Sequence, residues 1–154
     1  EMLRSLVGSE MCIRDSSATA LEKEGKGYVV ASLGVDSGYV PYTSYSAKTS
    51  FLNENPQVIQ SFTNALQKGM DYVQNHSPEE IAQMISPQFP ETDMDTLTTI
   101  VNRYYEQDTW KENLVFEKDS FELLQDILEG AGELEKRVDY EQLVTTEFAN
   151  AAIN

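Results

Sequence analysis

Helix-start signatures recur through residues 55–139, and they constrain the fold of this chain more than any other feature. Asn55 precedes Pro56, which pairs a capping side chain with a proline in the first helical turn, and Ser77 with Glu80 forms a capping box. Further starts are predicted at Thr92 with Asp95, at Asp119 with Glu122, and at Asp139. Each start supplies a side-chain oxygen to backbone N–H groups that the first turn leaves unpaired. This part of the chain is therefore predicted to form five helices.

The predicted helices carry apolar stripes at helical spacing, which indicates that each buries one face. In the helix that starts at Pro56, the stripe consists of Val58, Ile59, Phe62, Leu66, Met70 and Val73. Gly130 and Gly132 end the fourth helix, because glycine readily takes the left-handed conformation that terminates a helix.

The preceding part of the chain has a different pattern. Residues 18–24 are predicted to be the last turns of a helix that Gly25 and Gly27 stop. Residues 28–33 form an apolar, partly β-branched run typical of a buried strand, and residues 39–47 alternate aromatic and small hydroxyl residues like a second strand. Two strands alone are marginal, so the sequence predicts part of an α/β domain, mostly helical here, whose other strands lie elsewhere.

Charge weighs against nucleic acid as a partner, and apolar content weighs against a membrane-spanning helix. The chain has 26 acidic and 11 basic residues, a net charge of -15, which would repel the phosphate backbone of nucleic acid. No apolar run approaches the roughly 20 residues that a membrane-spanning helix needs.

Residues 1–17 are predicted to be a non-native or disordered leader, and residues 18–154 to belong to one domain. Residues 5–16 resemble a translated sequencing-adapter sequence, and they contain Cys12, the one cysteine of the chain. We therefore exclude this segment from the functional argument.

The sequence offers little material for catalysis. His76 is the single histidine, and its place at a predicted helix end favours a structural role. A zinc site needs more nitrogen or sulfur ligands than residues 18–154 provide, and no glycine-rich turn leads into a helix as a phosphate loop does. We expect no catalytic residues, no metal and no cofactor, and hence a protein that is not an enzyme.

Candidate ligand-binding residues lie in a polar aromatic stretch, residues 37–45. We select Ser37, Tyr42, Thr43 and Ser44, because tyrosine and hydroxyl side chains at strand ends commonly line small-molecule clefts. Strand alternation would place Tyr42 and Ser44 on one face and Thr43 on the other. The alternative is that the aromatic side chains fill the core between sheet and helices.

Arg103 is the fifth candidate, as the one basic residue in a second polar aromatic cluster, residues 103–110. Its guanidinium would suit an anionic solute. A surface ion pair with Glu106 or Asp108 explains it equally well.

Several stretches resemble, in this order and spacing, the nitrate/sulfonate/taurine-type family of solute-binding proteins from ABC importers. The matching stretches are residues 27–32, 40–45, 51–58, 103–104 with 107–110, 131–134 and 148–149. The resemblance implies that residues 18–154 are the carboxy-terminal part of a solute-binding domain. That domain would have a two-lobed periplasmic-binding-protein (type 2) fold, with solute held in the cleft between the lobes. It also implies an extracytoplasmic location, periplasmic or lipid-anchored at the outer face of the cell membrane, and delivery of the solute to ABC permease subunits.

On this interpretation the solute is a small anionic or heterocyclic molecule. One alternative is a thiamine-pyrimidine-type binding protein or synthase on the related fold, although a synthase would need a histidine and cysteine-rich site. A helical interaction module is a third possibility, and proline and glycine interruptions of the helices weigh against it.

Overall fold

The computed structural model describes residues 18–19, 21–30, 36–41 and 43–153. The predicted leader, residues 1–17, lies outside the described residues. Helices with both ends in these ranges are α1 (Thr49–Glu54), α2 (Pro56–Asn75), α3 (Pro78–Ile85), α4 (Met94–Glu106), α5 (Lys118–Gly130), α6 (Tyr140–Leu143) and α7 (Glu147–Ile153), and a 3-10 turn, Ser86–Gln88, follows α3. Within these described ranges, no helix is long and apolar enough to cross a bilayer.

Several predicted helix ends are confirmed. Helix α2 begins at Pro56, and α3 follows a complete capping box. The Ser77 hydroxyl accepts from the Glu80 backbone N–H, and the Glu80 carboxylate accepts from the Ser77 N–H at 2.9 Å. Residues 18, 19 and 21–23 are helical, and Gly25 follows with a φ of 66°, a left-handed conformation that favours glycine. Local capping chemistry therefore determines these ends.

Other predicted starts are wrong by one or two residues. Asp93, not Thr92, caps α4, and its side chain accepts from the Thr96 backbone N–H at 2.9 Å. Helix α5 begins at Lys118 rather than Asp119, without a side-chain cap. The predicted last helix is divided into α6 and α7, because Val144 has an extended backbone that ends the helical turn.

The described chain forms two compact units. Of the described residues, those up to Asp36 and Tyr72–Lys111 belong to the first unit, and those from Ser37 to Asp71 and from Glu112 onwards belong to the second. Helix α2 contributes its last four residues to the first unit and the rest to the second.

The core of the first unit lies where α3 packs on α4. Its buried members are Ile81, Ala82, Leu97 and Val101. Partly buried side chains surround them: Tyr72, Val73, Ile85, Tyr105 and Trp110. The Tyr105 hydroxyl donates to the backbone oxygens of Val73 and His76, so α4 is fastened to the end of α2.

The second unit is held together by aromatic contacts and by buried amide side chains. The ring of Phe121 on α5 contacts Phe116 and Tyr140, with centroid separations of 6.2 and 5.7 Å. The Gln125 side chain pairs with the backbone of Val138, both donating to its oxygen and accepting from its N–H. On α2, Gln67 donates to the backbone oxygen of Glu112 at 3.0 Å.

The expected α/β class is wrong. Helices and connecting segments make up the described residues, which contain no β-strand and hence no sheet of a two-lobed periplasmic-binding-protein (type 2) fold. In the first predicted strand, Tyr28 is 83% exposed and Val30 is 93% exposed, and residues 31–33 lie outside the described residues. The backbone N–H of Val29 donates to the Glu22 carboxylate at 2.7 Å instead of to a neighbouring strand.

The physical reason is that strand propensity expresses packing on a pleated surface rather than an intrinsic backbone preference. Residues 28–30 have apolar side chains suited to a strand, but the described chain gives them no paired backbone and no covering layer. The second predicted strand, residues 39–47, is irregular wherever it is described.

Candidate functional site

The predicted hydroxyl residues lie along the segment that leads into α1. Ser37, Thr43 and Ser44 are exposed members of the second unit, whereas Tyr42 lies outside the described residues. Gly38 has a φ of 76°, and a Cβ atom placed on it would lie 3.5 Å from the Leu123 side chain. The segment therefore turns tightly against α5 just after Ser37.

Tyr45 directly follows Thr43 and Ser44, and it forms an exposed aromatic pair with Phe62 on α2. The rings of Tyr45 and Phe62 meet edge to face, with centroids 5.0 Å apart and planes at 81°. Val58 lies one turn before Phe62 on the same face of α2. Tyr45 is 69% exposed, Val58 57% and Phe62 46%, so these three side chains form an apolar surface, which we call the Tyr45 patch.

Val58 and Phe62 belong to the predicted buried stripe of α2, and their exposure contradicts that prediction. Their helical spacing was recognised correctly, but periodicity does not show which apolar faces are covered. Tyr45 lies in the polar aromatic stretch, residues 37–45, but is not one of the five candidate ligand-binding residues. Its aromatic ring next to two hydroxyl residues was the available signal.

Arg103 is engaged inside the first unit. Its guanidinium donates to the Glu22 carboxylate and to the Thr19 hydroxyl at 2.6 Å, and Thr19 is buried. The partner is therefore Glu22 rather than the nearby Glu106 or Asp108 that the sequence suggested. Arg103 and the hydroxyl residues belong to different units.

Hydrogen bonds to the Glu22 carboxylate favour its charged form. The backbone N–H of Val29 and then the guanidinium of Arg103 lower the pKa of Glu22 below its ordinary value. The positive charge of Arg103 is thus compensated by a carboxylate of its own unit, which weakens the case for Arg103 as an anion-binding residue.

Lys23 of the first unit contacts the start of α4. Its ammonium donates to the Thr96 hydroxyl at 2.8 Å and forms an ion pair with Asp95. Hydrogen bonds from the side chain and backbone of Thr96 lower the pKa of Asp93. These contacts cap and anchor α4.

His76 contacts Tyr72 at the end of α2. Its ring stacks on Tyr72, with centroids 3.7 Å apart, and Nδ1 lies 2.8 Å from the Tyr72 backbone oxygen. The Nδ1–H group therefore donates a hydrogen bond to that carbonyl oxygen. In the described part of the chain, no three His, Cys, Asp or Glu side chains come together as metal ligands.

The second unit also contains a small open cleft of about 170 Å³, which no sequence pattern predicts. Its lining comprises Lys118, Phe121, Glu122, Gln125, Arg137, Val138, Asp139, Tyr140 and Glu141. Both cations are paired: Lys118 with Glu141 at 2.9 Å, and Arg137 with Asp126 and Glu129. These hydrogen bonds raise the pKa of Lys118 and that of Arg137, so the cleft presents compensated charges rather than an open anion site.

Comparison with known proteins gives one similarity. The chain is 38% identical over 142 residues to the Bacillus subtilis (strain 168) protein named "Putative binding protein YtlA". The match covers 92% of this chain and 42% of that protein, so the chain spans about two fifths of the length of the curated relative. No family model matches the sequence, and no solved structure matches it. The similarity supports a binding role.

Proposed function

We propose that this chain is part of the solute-binding component of an ABC importer, which captures a small anionic or heterocyclic molecule and passes it to a membrane permease. The observation that carries the proposal is the 38% identity, over 92% of the chain, to the Bacillus subtilis protein named "Putative binding protein YtlA". The resemblance to the nitrate/sulfonate/taurine-type family supplies the importer and its extracytoplasmic location. Binding rather than catalysis is the proposed activity.

The exposed segment with Ser37, Thr43 and Ser44 supports a binding role in the second unit. Hydroxyl groups beside an apolar surface direct hydrogen bonds to a ligand while the apolar side chains remove part of it from water. The Tyr45 patch supplies that surface next to two of the three hydroxyl residues.

A chimera tests the binding function. The 142-residue stretch of the Bacillus subtilis relative that matches is replaced by the corresponding residues of this chain, and both proteins are purified. Calorimetric titration with taurine, an alkanesulfonate, nitrate and an aminopyrimidine should show that parent and chimera bind a common solute class. A folded chimera that binds none of them, beside a parent that does, would contradict the proposal.

Uptake by cells tests the importer. In Bacillus subtilis lacking the relative, the chimera should restore uptake of the bound solute to within about tenfold of the parent, because delivery needs a permease contact as well as capture. A chimera that binds solute with the affinity of its parent and restores no uptake would show that the importer assignment is wrong. Mass spectrometry of the recovered solute would detect chemical conversion, the outcome expected of a synthase.

A further inference from the structure

Residues 18–19 and 21–30 of the first unit, which we call the strap, consist of a helical turn and an irregular tail. The strap contributes little apolar surface to the unit. Among its described residues Thr19 alone is buried, and Leu21 is 49% exposed. Apolar burial therefore does not account for the position of the strap on the unit.

Ionic hydrogen bonds join the strap to α4. The Arg103 guanidinium donates to the Glu22 carboxylate and, at 2.6 Å, to the Thr19 hydroxyl. The Lys23 ammonium donates to the Thr96 hydroxyl at 2.8 Å. Hydrogen bonds that involve a charged group are stronger than neutral ones, so these contacts dominate the attachment of the strap.

The two ion pairs between strap and α4 differ in their shielding from water. The side chains of Glu22 and Arg103 are each 24% exposed, whereas those of Lys23 and Asp95 are 40% and 86% exposed. Exposed ion pairs contribute little to stability because water and salt screen them. The pair of Glu22 with Arg103 is therefore the main ionic contact of the strap.

The Glu22 carboxylate also holds the tail of the strap. Its Oε2 atom accepts from Arg103, and its Oε1 atom accepts from the Val29 backbone N–H at 2.7 Å. One oxygen thus contacts α4 and the other contacts the tail. Protonation of Glu22 would weaken both contacts at once, because a neutral carboxyl group is a weaker acceptor than a carboxylate.

The strap covers an apolar residue of α4. Thr96, Ile100 and Arg103 are spaced to lie on one face of the helix, and the first and last of them bind the strap. Ile100 is 8% exposed, although it lies outside the buried cluster that α3 and α4 form together. Removal of the strap would therefore expose Ile100 and leave that cluster closed.

Glu22 is the member of the main pair that titrates, because an arginine guanidinium does not lose its proton in proteins. The other charged groups of the strap and of α4 with its cap are Lys23, Glu24, Lys26, Asp93, Asp95 and Glu106. Lys26 pairs with Glu24, so it does not compete for Glu22. The contacts with Val29 and Arg103 lower the pKa of Glu22, so they persist at neutral pH and are lost as the pH falls below 4.5.

We propose that the strap is an acid-released cover of α4, in which the Glu22 carboxylate fastens both the helical turn and the tail. At neutral pH the strap is closed. When Glu22 takes up a proton, the strap leaves α4, exposes Ile100 and frees residues 28–30, while the cluster of α3 and α4 stays folded. This conformational change is separate from the proposed capture of solute.

A pH titration of the 154-residue chain, followed by NMR, tests the role of Glu22. The side-chain carboxyl carbon of Glu22 should titrate with a midpoint below pH 4.5. The Val29 amide proton should shift with the same midpoint, because its hydrogen bond to that carboxylate weakens as the proton binds.

Hydrogen exchange tests the release itself. The amides of Gly25 and Lys26 close the helical turn of the strap, and a single turn of helix is not stable in water on its own. Their protection from exchange should therefore be lost over the pH range in which Glu22 titrates. The amides of Ile81 and Val101, in the cluster of α3 and α4, should remain protected throughout that range.

Variants separate Glu22 from the other carboxylates. At pH 7, Glu22→Gln keeps the size of the side chain but removes its charge, and it should speed exchange at Gly25 and Lys26 about tenfold. Glu24→Gln is the matched control on the same strap, and it should change exchange there by less than about twofold. Protection of Ile81 in both variants checks that the first unit remains folded.

Three results would overturn the proposal. The first is a Val29 amide shift that does not follow the titration of Glu22. The second is loss of protection in the strap and at Ile81 at the same pH, which would make the strap part of one cooperative core. The third is equal exchange in the Glu22→Gln and Glu24→Gln variants.

Discussion

Replacing Leu97 by alanine is the sharpest test of the core of the first unit. Leu97 is 2% exposed on α4 and belongs to the cluster with Ile81, Ala82 and Val101. The substitution removes three buried carbon groups worth about 0.8 kcal/mol each, or about 2.4 kcal/mol in transfer free energy. The residual cavity adds to this, giving an expected destabilisation of about 3 kcal/mol.

Trp110, the single tryptophan, lies in the first unit, so its fluorescence can follow the loss of stability there. Trp110 packs against this cluster, and no other tryptophan contributes to the fluorescence of the chain. Urea unfolding followed by Trp110 fluorescence should give a midpoint well below that of the wild type. For a protein of ordinary stability, a loss of about 3 kcal/mol is a large share of the total free energy of unfolding.

Leu143→Ala is the control, because Leu143 is exposed on α6 in the second unit. Its effect should stay within about 0.5 kcal/mol. The reasoning would be refuted if Leu97→Ala cost less than about 1 kcal/mol, or if both substitutions moved the Trp110 transition equally.

Further stability tests concern caps, buried amides and ionised groups. Ser77→Ala removes the cap of α3 and should cost about 1 kcal/mol by urea unfolding; an unchanged midpoint would contradict the capping role. Gln125→Ala leaves the Val138 backbone without its side-chain partner and should cost about 2 kcal/mol by the same measurement. A loss below about 0.5 kcal/mol would argue against the pairing. Because the folded-state pKa of Glu22 is lowered, its contribution is present above the ordinary value of 4.5 and is lost as pH falls below it. Glu22→Gln should therefore destabilise the chain at neutral pH and reduce the acid dependence of unfolding, and identical acid profiles would exclude an ionised pair with Arg103.

Local chemistry made part of this fold predictable. The capping box at Ser77 and the proline start at Pro56 each depend on residues within one helical turn, so the sequence contains the whole interaction. Thr92 and Asp93 can both accept a backbone hydrogen bond, so the sequence alone does not distinguish which of them caps α4. The structure selects Asp93 through its contacts with Thr96.

Long-range partners were not predictable from the same patterns. Arg103 pairs with Glu22, 81 residues away in the chain, whereas the sequence suggested its near neighbours Glu106 or Asp108. The residues 28–30 resemble a strand by composition, and only the absence of a paired backbone in the described chain decides against it. For the candidate site, the hydroxyl residues were found from composition, but the exposure of Val58 and Phe62 required the fold.

The interleaving of the two units limits how the molecule can be dissected. Each unit draws on two separated stretches, and the chain passes between them after Asp36, after Asp71 and after Lys111. A protease that cuts one peptide bond, or an expression clone with a single new terminus, can therefore never yield either unit free of residues from the other. Isolating the second unit calls for joining residue 71 to residue 112 by an engineered linker, and a fusion of that kind would show whether half of the molecule is an autonomous folding unit.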